Sequence, residues 1–300
     1  MHILSIVNNE KHRWPVTEWL LLLVAIFWGT SYGMTKSALV FTSVLMFIAI
    51  RFSLTFIALL PVVIRDFKLG RNKDWITAIP TGAILSAIFF CEVIGVSKTT
   101  ASNAAFLISL SVIFTAFAER LVNKHEVSMT YKSLVVLCII GVYLLSQPDL
   151  TSFTFNSGDY WILGAACLRG LMVTTTKRLT EGRVISTVSL TALQSATVAV
   201  VAIIACGLFL PMDAISIPTS LSFWLMTLYL VAFCTLFAFF VQNYAVRRLS
   251  PTRVSLLMGS EPLFGALFAM LWLGEQLTAL QALGALMIIS SVIYVSLKKA

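Results

Sequence analysis

Long apolar blocks, each about as long as the twenty residues that carry a helix across a bilayer core, alternate with short polar segments along nearly the whole chain. Each block predicts one membrane span. Ten are read, over residues 17–35, 43–64, 75–94, 102–121, 130–146, 158–176, 187–210, 222–246, 254–272 and 278–297. The sixth has the weakest signal, because Arg169 and the run Thr174-Thr175-Thr176 lie inside it. The predicted class is an all-α integral membrane protein with ten transmembrane helices.

Charge fixes the orientation. Of the 21 lysines and arginines, Arg51 and Arg169 lie deep within spans, while Arg120 and Lys132 lie at inner span ends. If the N-terminus is inside, Lys36 and Lys98 lie on the outer side and the remaining 17 of the 21 lie on the inner side, a strong positive-inside bias. Removing span six would carry the later basic loops outside, so the bias supports keeping it. Residues 1–16 and 298–300 are expected to be cytoplasmic tails. The first sixteen are too polar for a signal peptide, and Thr17 onward reads as an uncleaved span.

Composition agrees: 59% of the 300 residues are hydrophobic and 11% charged, where a soluble domain is about half apolar and a quarter charged. The net charge of +8 would suggest nucleic acid in a soluble protein; here it sets topology, and no nucleic-acid partner is expected. All five cysteines lie in apolar stretches, without a CxxC pair. His2, His12 and His125 lie outside the spans, and no His/Cys/carboxylate cluster has metal-ligand spacing. There is no GxSxG, P-loop or HExxH. No catalytic residue, metal or cofactor is expected, and the chain does not read as an enzyme.

The two halves repeat. Trp75 and Trp224 are 149 apart, Phe89-Phe90 and Phe239-Phe240 150, Glu126 and Glu275 149, and Gly29 with Lys36 precedes Gly170 with Lys177 by 141. Residues 17–146 and 158–297 thus form two five-helix units joined by an outer loop, 147–157. Five is odd, so the second unit enters the membrane from the opposite side. Inverted repeats of this kind are common in secondary transporters, which bind substrate near the midplane and expose it by rocking of the halves.

The stretches FWGTSYGMTK in span one, SNAAFLISLSVIF in span four and SEPLFGALFAMLWLGEQLT across span nine resemble the EamA-type permeases of the drug/metabolite transporter superfamily over nearly the whole chain. In detail they look closest to the YddG aromatic amino acid exporters. The most specific feature is Pro262 followed by Gly274-Glu275; the first half departs from it, with Val112 where a proline is usual and His125-Glu126 in place of Gly-Glu. The resemblance implies ten helices, a central cavity built mostly from spans one, three, four, six, eight and nine, export of small metabolites, and a bacterial inner membrane. Small multidrug exporters of the superfamily use a buried first-helix carboxylate for proton exchange. Here the only acid of span one is Glu18, at its cytoplasmic edge, although protons remain the candidate coupling ion.

Candidate substrate-binding residues follow from polarity inside the spans. Trp28 and Tyr32 are one turn apart on a helix, facing either a cavity or the membrane interface; Gly29 and Gly33 form a GxxxG pair for close packing. In span eight, Phe239, Gln242, Asn243 and Tyr244 cluster, and the amides must find partners in a cavity or across helices. Glu92 occupies the position of Gln242 in the repeat, near the outer end of span three, where hydration would also suit it. Phe89 and Phe90 are the repeat partners of the span-eight aromatics, Asn103 opens span four, and Trp161 is a cavity wall or an anchor. Arg51, Arg169 and Glu261 are costly within spans, by about 2.5–3.5 kcal/mol at a helix centre. Arg169 suits a carboxylate; Glu261, beside the kink expected at Pro262, suits an ammonium or a proton. Each equally fits a structural ion pair. The expected substrates are amino acids, aromatic or bulky and neutral, or related metabolites. The competing readings are a drug or nucleotide-sugar carrier and, in a different class, a membrane-embedded lipid enzyme, which the lack of a histidine in any span opposes.

Overall fold

The computed structural model describes residues 16–124, 126–146, 156–212, 215–273 and 278–297. The tails, most of the 147–157 loop, His125, and the Gly274-Glu275 feature lie outside the described residues. All regular structure among the described residues is helical. Span one is Val16–Ala38, span two Val44–Lys68, and span three follows a 3₁₀ turn at Trp75–Thr77 as Ala78–Lys98. Span four has two pieces, Ala101–Ser109 and Ser111–Val122. Span five is Met129–Ser146, span six Ser157–Thr180 and span seven Thr187–Phe209. Span eight, Leu221–Val246, has a π-helical middle at Leu230–Phe237. Span nine is Pro251–Met258 and Glu261–Leu273, and span ten Ala279–Leu297.

The starts are chemically explicit. Ser43, Thr100, Ser186 and Ser250 each accept a first-turn backbone N–H, and Asn156 with Asp159 forms a capping box. Seven described helices are long and apolar enough by themselves to cross a membrane, and span five is a shorter apolar helix. Span six, interrupted by Asp159 and Arg169, and the broken span nine are not among the seven. Aromatic and aliphatic side chains such as Ile57, Phe117, Val200 and Ile203 are exposed on the perimeter, as lipid contact requires.

Span two packs along span seven, five along ten, three and four along six, and eight and nine along one. Exchanging the halves, one for six through five for ten, turns this set of pairs into itself. The closest approaches obey the same exchange. A Cβ on Gly29 would lie 2.8 Å from the Glu261 carbonyl oxygen in span nine, and one on Gly170 would lie 2.6 Å from the Thr115 amide nitrogen in span four. Only glycine admits such contacts. Gly33, expected to share this packing, has nothing within 4 Å of where its Cβ would be. The interruption at Leu110 in span four and that at Gly259 in span nine are also 149 apart, although only the second is followed by a proline.

Candidate functional site

Span nine breaks where Pro262 removes a ladder N–H, and Glu261 begins its second piece, where the helix dipole favours an anion. Its carboxylate is shared. Arg169 of span six approaches Oε1 with Nη2 at 3.0 Å, and Tyr32 of span one donates its hydroxyl to Oε2 at 2.9 Å. Glu261, Tyr32 and Arg169 are all buried. One carboxylate thereby ties spans one, six and nine together. Removing one member of such a pair costs about 3–5 kcal/mol, chiefly by stranding the other.

The Arg169 guanidinium also lies 4.0 Å from the Trp28 ring centre. Trp28 donates Nε1 to the Cys234 carbonyl at 2.8 Å, inside the π-helical segment. The same carbonyl accepts Arg51 Nη2 at 3.4 Å, while Arg51 Nε donates to Thr235 Oγ1 at 2.7 Å. A π turn disturbs the regular ladder, and here side chains of spans one and two bond to its backbone and hydroxyl. Arg51 stands over Phe89 at 5.1 Å. Phe239 lies 5.6 Å from Trp28 and 5.8 Å from Phe89, ring centre to ring centre.

These groups surround a cavity of about 20 Å³, room for roughly one water. Its wall includes Ser31, Glu92, Met172 and Gln242 besides Trp28, Tyr32, Arg51, Phe89, Arg169 and Phe239. Four pairs on that wall stand at the repeat offsets. Trp28 with Arg169 and Ser31 with Met172 are 141 apart; Phe89 with Phe239 and Glu92 with Gln242 are 150 apart. Equivalent positions of the two halves meet across the cavity, with different chemistry in three of the four pairs.

Of the residues expected from sequence, Trp28, Tyr32, Phe89, Arg169, Phe239 and Gln242 line this cavity, and Glu261 binds two of them. Five stand elsewhere. Phe90 packs in the hydrophobic core. Asn103 gives its backbone N–H to the Thr100 cap. Trp161 is 41% exposed at a helix end. Asn243 donates to Thr191 and Gln194 of span seven at 2.9 and 2.8 Å, an interhelical tie. Tyr244 lies 3.5 Å beneath the Arg248 guanidinium at the end of span eight. Arg51 and Glu92, which the sequence marks as polar within their spans, also line the wall, as do Ser31 and Met172, which it does not single out. The repeat carries part of the signal, since Glu92 is equivalent to Gln242.

Both ends of the bundle are tied. At the end where span one starts, rich in arginine and lysine and here called the basic end, Arg253 Nη2 meets Glu18 Oε1 at 2.8 Å. Beside it Glu119 accepts the Thr252 amide at 2.9 Å and the Thr252 hydroxyl. A basin of about 670 Å³ also opens there, walled by Lys124, Tyr131, Lys177, Arg178 and Arg248 among others. At the far end, Thr99 donates its hydroxyl to Asp159 at 2.5 Å and its carbonyl accepts Lys36 Nζ at 2.6 Å.

A model of the EamA-like transporter family matches the chain twice, over residues 16–147 and 156–297. An uncharacterized transporter of Archaeoglobus fulgidus is 28% identical over 93% of this chain and 85% of its own length. The uncharacterized transporter YyaM of Bacillus subtilis is 22% identical over 92% of both chains. A solved crystal structure shares the fold with a TM-score of 0.74 at 13% identity, covering 92% of this chain and 95% of the other. The chain is therefore a multi-pass membrane transporter and not an enzyme, and it belongs to the EamA-like transporter family.

Proposed function

We propose that this transporter exports aromatic or bulky neutral amino acids and related small metabolites across the bacterial inner membrane by alternating access. In this reading the two matched segments are inverted five-helix repeats, the basic end and both termini face the cytoplasm, and protons are the candidate coupling ion. The observation that carries the reading is the buried cluster of Trp28, Arg169, Tyr32 and Glu261 on a cavity built from equivalent positions of both halves. Drug-sized ligand sites occupy about 300–1,000 Å³, and this cavity admits about 20 Å³. The conformation is closed around its site, and substrate enters as the halves separate. The aromatic wall favours a substrate with a ring, as does the resemblance of span one to the YddG exporters.

Uptake of labelled amino acids into liposomes holding the purified protein tests this, with and without a pH gradient. Saturable uptake of aromatic amino acids is expected, abolished in Trp28→Ala, with the gradient changing the rate if protons couple. No uptake of any amino acid would overturn the substrate assignment and leave the family standing.

A further inference from the structure

We propose that Glu92 and Gln242 together form the subsite that receives the substrate's ammonium group. The inference rests on the transporter reading of the same cavity and deepens it. The two residues are 150 apart, at equivalent positions of spans three and eight, and both line the cavity. Gln242 is 2% exposed, and its Oε1 is buried without a hydrogen-bond partner, a costly state for an amide oxygen unless a ligand donates to it. Glu92 is the sole carboxylate among the residues lining the cavity. The neighbouring carboxylate, Glu261, is already shared by Arg169 and Tyr32.

The cavity's cations are engaged as well. Arg169 has Glu261 and the Trp28 face; Arg51 has Thr235, the Cys234 carbonyl and the Phe89 face. What the wall still offers is the Glu92 carboxylate, within electrostatic reach of Arg169 and Arg51 but in no ion pair with either, and the Gln242 amide oxygen, among aromatic faces. An ammonium carries three donors and a positive charge, and ring faces attract it. Glu92 lies toward the far end of span three and Gln242 toward the basic end of span eight. A substrate moving from the basic end to the far end is passed from the amide to the carboxylate.

Calorimetric titration of the full chain in lipid nanodiscs separates the parts of the claim. The ligands are L-phenylalanine, 2-phenylethylamine, which lacks the carboxylate, and 3-phenylpropanoate, which lacks the amine. Glu92→Gln is expected to weaken both amines about tenfold and leave 3-phenylpropanoate unchanged. The exchange Glu92→Gln with Gln242→Glu moves the charge to the equivalent position and is expected to restore amine binding. Equal weakening of all three ligands, or no change in amine binding, would overturn the subsite while the transporter reading stands. Binding of 2-phenylethylamine without L-phenylalanine would keep the subsite and remove the amino acid reading. Binding of none of the three by the unaltered protein would remove both.

Discussion

The two ends of the bundle are tied at equivalent positions by different chemistry. Glu18 and Asp159 are 141 apart, each an acid in the first turn of its span. Lys36 and Lys177, again 141 apart, each reach a backbone carbonyl after the third span of their half, Thr99 at 2.6 Å and Arg247 at 3.4 Å. At the far end the acid is held by neutral donors: Asp159 accepts the Thr99 hydroxyl and, at 2.8 Å, the Asn156 amide. At the basic end the acid meets an arginine, and Arg253 keeps Nε and Nη1 buried without partners. The far-end network leaves no buried polar atom of Asp159, Thr99 or Asn156 without a partner. A buried ion pair with unused donors is a poor net stabiliser, yet breaking one side of it is severe. The basic end is thus the end more sensitive to losing one group.

The largest expected effect follows from that asymmetry. Arg253→Met strands the buried Glu18 carboxylate and is expected to lower stability by about 3–5 kcal/mol, read as a fall in the thermal unfolding midpoint in detergent. Adding Glu18→Gln should recover most of the loss, because the double variant buries no unpaired charge. A double variant as unstable as the single would mean that Arg253 acts through packing, and the contrast between the ends would lose its electrostatic basis.

Asp159→Ala comes next. It removes the reciprocal half of the capping box and the acceptor for Thr99, and is expected to cost about 1–2 kcal/mol, less than Arg253→Met. The consequence is also sided. In a background with the five native cysteines replaced, Ser31→Cys places a thiol on the cavity wall. An impermeant thiol reagent should label it faster from the far side in Asp159→Ala, and faster from the basic side in Arg253→Met. Acceleration from both sides in either variant would show that the ties hold the bundle together without gating one end.

Much of this was legible beforehand, for definable reasons. The spans were readable because lipid demands unbroken apolar blocks, and even span six, interrupted by Arg169, was recovered from the charge of the loops after it. The break at Leu110 was not readable: Val112 offers no proline signal, and packing against spans six and nine replaces it. Trp28 stands out in the sequence by its one-turn spacing to Tyr32, Arg169 by the cost of a charge within a span, and Phe239 by repeating Phe89; in the structure all three line the cavity. The sequence leaves the span-eight amides open between a cavity and a neighbouring helix, and the structure divides them. Gln242 and Asn243 both lie in the regular helix Ala238–Val246 beyond the π turns, where neighbours stand about 100° apart, so the first meets the cavity and the second meets span seven. Asn103 stands out in the sequence by polarity; in the structure it is the Thr100 hydroxyl that serves the first turn, by accepting the Asn103 backbone N–H.

The smallest expected effect is the most exacting for the comparison. Lys36 and Lys177 are equivalent, but the Lys36 bond is 2.6 Å and the Lys177 bond 3.4 Å, near the limit of a hydrogen bond. Lys36 also bonds the residue whose hydroxyl holds Asp159, so its loss loosens a network, whereas Lys177 borders an already open basin of about 670 Å³. A single hydrogen bond contributes about 0.5–1.5 kcal/mol net, and the exposure of Lys36 keeps its share toward the lower end. Lys36→Met is expected to quicken far-side labelling at Ser31→Cys by a few fold, and Lys177→Met to leave basic-side labelling nearly unchanged. The reverse order would mean that closure at the basic end depends on the lysine and not on the ion pair, because the far-end network would then hold without Lys36 while the long bond at the basic end could not be spared.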